Sequence, residues 1–105
     1  MLVTVIPWNG DGPPNEIEIA RHMRTEGLVP SGWSNEPGDR YGVHSHDYHK
    51  VLYCVSGSIR FTLPDEGPDA GVDLVPGDRL NLPARIRHGA IVGPHGCHCI
   101  EAPQW

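Results

Sequence analysis

GDRYGVHSHDYHKVLYCVSG, residues 38–57, is the stretch on which the reading of this chain turns. His44 and His46 stand two apart, after the turn-forming pair Pro37-Gly38 and ahead of the apolar run VLYCV at 51–55. Side chains two apart on an extended chain share a face, so both imidazoles can approach one point, as two ligands of a single metal must. Far along the chain His88 follows Pro83 at the start of another strand-like run. Two near ligands and one distant ligand are what folding can assemble into a metal site. Paired histidines on a strand also occur as plain exposed or hydrogen-bonded residues, so spacing alone leaves both readings open.

Outward from this stretch the texture is one of short strands and turns. IRFTL, VDLV, RLNLP, RIRHGAIV and CHCIEA follow one another, separated by PDEGPDAG, PGD and GPHG. Turn signals this regular predict an antiparallel sandwich or barrel. Glycine and proline take 13 and 11 of the 105 positions, a load that no helical bundle tolerates. Upstream, LVTVI (2–6) reads as a strand stopped by Pro7. After NGDGPPN, residues 16–26 read as a short amphipathic helix, with Glu16 and Glu18 early, Arg21 and Arg24 late, and Ile19 and Met23 on one face. Gly27 stops it. The length allows one domain, with 1–27 as N-terminal strand and helix and 28–105 as barrel. The interior is expected from Leu52, Cys54, Ile59, Phe61, Leu63, Leu74, Leu80, Leu82, Ile86, Ile91 and Ile100.

Composition removes several functions. Thirteen acids against eight bases leave a net charge of −5 without a basic stripe, which argues against a nucleic-acid partner. No apolar run approaches the ~20 residues that a bilayer requires. The N-terminal run lacks the basic flank and cleavage site of a leader peptide. The three cysteines are an odd number, and Cys97 and Cys99 are too far apart on a strand to bridge. A reducing cytoplasm is the expected setting.

Gly38, His44, His46, position 50 and Gly57 fall at the offsets of the first motif of the cupin superfamily, G(x)5HxH(x)3-4E(x)6G. Gly77, Pro83 and His88 match the second, G(x)5PxG(x)2H(x)3N, and PGD at 76–78 is a turn common in the family. The chain thus resembles a small single-domain cupin. The resemblance implies an all-β, cupin-type antiparallel β-barrel (a double-stranded β-helix or jelly roll) with one short N-terminal helix. It also implies one divalent metal, Fe, Mn, Ni or Zn, held by His44, His46 and His88 in the barrel mouth beside a small-molecule pocket.

Three positions depart from the pattern. Arg85 replaces a glycine, implying a slacker turn, and Val92 replaces an asparagine. Lys50 stands where the family has its metal-binding glutamate. An ammonium about 6 Å from a divalent ion opposes it by roughly 5 kcal/mol at an effective dielectric of ~20, so metal binding is expected to be weaker than with the carboxylate. Lys50 either faces a ligand as a cation or snorkels to water at the mouth. His49 and Asp47 are the neighbouring candidates for the fourth position.

Two functions of different class follow. One is a metal-dependent oxygenase or isomerase acting on a small polar metabolite, with Lys50, Tyr41 or Tyr48 as its only other reactive groups. The other is a non-catalytic ligand-binding or sensor module. His95, Cys97 and Cys99 alternate, which fits either a soft second metal site or ordinary core packing. Trp8, Trp33 and Trp105 are expected to cover the barrel ends. Small cupins resemble one another in pairing sheets across a homodimer, so residues 2–6 are expected to extend a sheet of this chain or of its partner. Val51, Tyr53 and Val55, outward by parity, are the candidate interface residues.

Overall fold

Two long strands set the frame. A computed structural model describes residues 3–105 and contains β1 (Thr4–Ile6), α1 (Glu16–Thr25), β2 (Ser31–Asn35), β3 (Arg40–His44), β4 (His49–Thr62), β5 (Gly71–Leu74), β6 (Arg79–Leu82) and β7 (His88–Gln104). Leu2, expected in the first strand, lies outside the described residues. β4 and β7 run antiparallel from His49 opposite Gln104 to Thr62 opposite Gly89. Strands this long cannot stay flat around a small core, and the pair bends where its register slips, after Cys54 and again after Gly57. Gly57 and Gly96 both take positive φ there, 73° and 75°. A Cβ on Gly57 would meet the carbonyl oxygen of Gly96 at 2.0 Å, so only glycine fits the bend.

The bend also switches which residues face inward, from Leu52 and Cys54 before it to Ile59 and Phe61 after it. The remaining strands pair antiparallel along this frame, β6 with the first half of β4 and β5 with the second. β3 lies against the start of β7 and β2 against its later part. β1 pairs with β6 of its own chain, Val5 opposite Leu80. Among the described residues this makes one seven-stranded sheet wrapped around the interior.

The interior holds most of the expected residues, including Leu52, Cys54, Ile59, Phe61, Leu74, Leu80 and Leu82. Ile91 and Ile100 differ from expectation. His88, Ala90 and Val92 alternate inward, so Val92 takes the core place and Ile91 is only half-buried. Ile100 is buried on the outer face of the sheet, under the helix. There Ile19, Ala20 and Met23 pack onto Val51, Tyr53, Ile100 and Ala102, with Val55 at the margin. Val51 and Tyr53 are therefore not interface residues; the chain's own helix covers them.

Helix α1 is well anchored. The Asn15 side chain accepts the Glu18 N–H at 2.9 Å, and Arg79 donates to both Glu26 oxygens at 2.7 and 3.0 Å. No helix among the described residues is long and apolar enough to cross a membrane. Met23 has no exposed surface. Met23→Ala should lower the unfolding free energy by about 2–4 kcal/mol, read from urea midpoints. Ile17→Ala, on the 72% exposed side of the same helix, should change it by less than ~0.5 kcal/mol.

Candidate metal centre

His44 ends β3 and sits directly across from His88, the first residue of β7. His46 enters from the turn between β3 and β4. One ring nitrogen from each of the three lies within 4.8 Å of the other two. His88 is 2% exposed while His44 is on the rim, so the cluster spans the barrel mouth from wall to solvent. Backbone carbonyls fix two of the tautomers. His44 Nδ1 is 2.8 Å from the Gly42 oxygen and His88 Nδ1 is 2.9 Å from the Ile86 oxygen. A carbonyl only accepts, so each Nδ1 carries the proton and each Nε2 keeps its lone pair for a metal.

Burial lowers the pKa of His88, and the charges of His44, His46 and Lys50 add to it, against the opposing pull of the Ile86 carbonyl. Burial also lowers that of His46, helped by Lys50 and His44. Neutral imidazoles are the form that coordinates. The donor set therefore fits a first-row divalent ion.

Lys50 turns into the barrel, with its side chain only 11% exposed. Its Nζ is 3.2 Å from His46 Nε2 and 3.2 Å from Glu101 Oε2. The other Glu101 oxygen accepts the indole N–H of Trp33 at 2.7 Å. Glu101 escaped the sequence reading: it continues the inward alternation of Cys97 and Cys99, whose phase is set by the bend at Gly96. Trp33, opposite Cys99 on β2, lines the same cavity and does not cap a barrel end. The cavity holds about 180 Å³ between His44, His88, Lys50, Glu101 and the walls Trp33, Tyr41, Leu52 and Phe61.

Other candidates lie apart. His49 Nδ1 accepts the Ala84 N–H at 3.0 Å, outside the cluster, and Asp47 is exposed. Tyr48 stacks on His46, ring centres 5.0 Å apart, and touches Trp105, which is otherwise exposed. Trp8 packs beside the helix. Cys97 and Cys99 are free and buried, facing Cys54, whereas His95 is exposed. The positive φ of Gly96 breaks the alternation between His95 and Cys97, which removes the second metal site.

Arg85 corrects another expectation. The turn is not slack: Arg85 takes φ 66°, the left-handed conformation of the family's glycine, and its N–H reaches the His46 carbonyl at 2.7 Å. The turn before β7 is thereby tied to the histidine loop, at the expense of backbone strain.

No protein-family model matches the sequence, and no curated protein matches it. Solved structures do. The chain is similar to the polyketide cyclase RemF from Streptomyces resistomycificus, 27% identical over 72% of this chain and 54% of that one, with a TM-score of 0.64. An RmlC-like cupin from Shewanella frigidimarina is 25% identical over 72% of this chain and 64% of its own, TM-score 0.60. The chain folds as a cupin domain. A DUF861 family protein from Thermotoga maritima, 13% identical, aligns over 98% of this chain and all of its own length with a TM-score of 0.66, which speaks for the fold alone. The cupin chain spans 54% of the cyclase and 64% of the RmlC-like protein, so neither one's activity transfers with the fold.

Two outcomes follow from the site. Arg85→Gly should stabilise the cupin by about 0.5–1 kcal/mol in urea unfolding, the left-handed strain relieved less the extra chain entropy of glycine, whereas Arg85→Ala should not. The metal-free protein should lose stability as pH falls through 6.5. The unfolded chain then binds protons on His46 and His88 that the folded chain, with both pKa values lowered, refuses. Urea midpoints at pH 7.5 and 5.5 should differ less in His88→Gln than in wild type.

Proposed function

We propose that this cupin binds one divalent first-row metal through Nε2 of His44, His46 and His88, and that the adjoining cavity receives a small polar ligand. The observation that carries the reading is the convergence of three imidazole nitrogens within 4.8 Å, two of them with Nδ1 tied to a carbonyl. A bound metal would supply a Lewis acid with open positions for an oxygen donor. The chain's own residues do the rest. Trp33, Phe61 and Leu52 offer apolar walls, while Lys50 and Glu101 offer a donor and an acceptor at the cavity's edge.

The volume limits what the cavity itself encloses. About 180 Å³ of cavity beside the histidines is room for a small metabolite, or for one end of a larger one entering from the mouth. The likeness to a polyketide cyclase supports a carbonyl compound as the kind of ligand. A second reading, ligand binding without turnover, draws on the Lys50 contact to His46 Nε2, which occupies a metal-binding lone pair.

Titration calorimetry with Mn(II), Fe(II), Ni(II) or Zn(II) should give one site per chain in wild type and none in His46→Ala. Absence of binding to wild type at millimolar metal contradicts the metal reading. Consumption of a small thiol or diketone by the metal-loaded protein supports the enzyme. A ligand that raises the melting temperature without being consumed supports the binding module.

A further inference from the structure

We propose that Glu101 is the carboxylate ligand of the metal, held in reserve by Lys50 while the site is metal-free. The inference rests on the three-histidine reading above and adds a fourth protein ligand to it.

The Lys50 ammonium stands in two places at once. It donates to His46 Nε2, the lone pair a metal needs, and to Glu101 Oε2, both at 3.2 Å. His46 Nε2 and Glu101 Oε2 therefore cannot lie further apart than those two contacts laid end to end. A metal on Nε2 must displace the ammonium, because one lone pair serves one partner. The arriving ion then repels Lys50 and attracts Glu101, so the charges drive the exchange in one direction.

The local geometry supports the swap. Glu101 is opposite Leu52 on the inner face, with Lys50 its diagonal neighbour, so both side chains reach the same part of the cavity. Trp33 holds Oε1 and leaves the exchange to Oε2. A carboxylate with one oxygen on the metal and the other on an N–H donor is a well-oriented ligand. Lys50, on a flexible four-carbon stem, can turn towards the mouth. The chain thus places a carboxylate from β7 one ammonium away from the three histidines, even though the position that would supply it from β4 is a lysine.

Cobalt(II) alone is the probe. The full chain and its Glu101→Gln, Lys50→Met and His46→Ala variants are titrated with Co(II), reading the visible d–d spectrum and the affinity by chelator competition, with circular dichroism confirming the fold of each. Wild type should bind one ion. Glu101→Gln should bind at least about tenfold more weakly with shifted bands. Lys50→Met should keep the wild-type bands and bind about tenfold or more tightly.

Identical bands in wild type and Glu101→Gln overturn the inference even where affinity falls, since Glu101 would then act only as a counter-charge. No Co(II) uptake by wild type overturns the three-histidine reading itself, and the inference with it. Should Glu101→Gln not fold, wild type carrying ¹³C-carboxyl glutamate is loaded with Mn(II) and examined by pulsed ENDOR. A directly bonded carboxylate gives a ¹³C coupling that a three-histidine site lacks, and its absence overturns the inference.

Discussion

The antiparallel pairing of β4 with β7 carries three groups of the candidate metal centre and positions the other two. His88 opens β7, Glu101 lies near its end, and Lys50 begins β4. These residues meet only because the pair bends, and the bend depends on the close approach of Gly57 to Gly96. A side chain at Gly57 would separate the two halves of the frame. The other strands then dock on whichever half offers them an edge, and β3 brings His44 to His88 as a consequence. The fold of this chain and the geometry of its candidate site share one constraint.

The centre itself balances unlike terms. Burial keeps His88 and His46 neutral, and the carbonyls of Ile86 and Gly42 aim two of the lone pairs. Lys50 opposes a metal by its charge, but Glu101 beside it cancels most of that field. The penalty expected for a lysine at the motif position assumed an isolated ammonium. Inside the barrel the ammonium has a carboxylate partner, which an indole N–H holds in turn. The site is close to neutral without metal and has an anionic arm within reach of one.

Much of this was legible in the sequence. The histidine pair and the regular turn signals depend on local spacing, which survives folding, and the motif offsets join the distant His88 to the pair. Gly57 was read as the closing glycine of the motif, and the structure supplies the steric reason for it. What escaped reading depended on contacts between distant segments. Glu101 needed the phase of β7, which GPHG resets, so its inward face became apparent only with Cys97 and Cys99 in place. Val51 and Tyr53 look outward by parity, and nothing local says that the chain's own helix lies over them. Arg85 was read as a slack turn because arginine disfavours positive φ. The bond from its N–H to the His46 carbonyl helps hold that conformation regardless.

The most direct test of the central claim is a long-range ¹H–¹⁵N spectrum of the histidine rings, first metal-free near neutral pH and then with one equivalent of Zn(II). His44 and His88 should each carry a proton on Nδ1, His88 should be neutral, and zinc should shift the Nε2 signals of His44, His46 and His88 alone. A proton on Nε2 of His88 in the metal-free protein, or zinc shifts at His49, His95 or His98 in their place, would contradict the account.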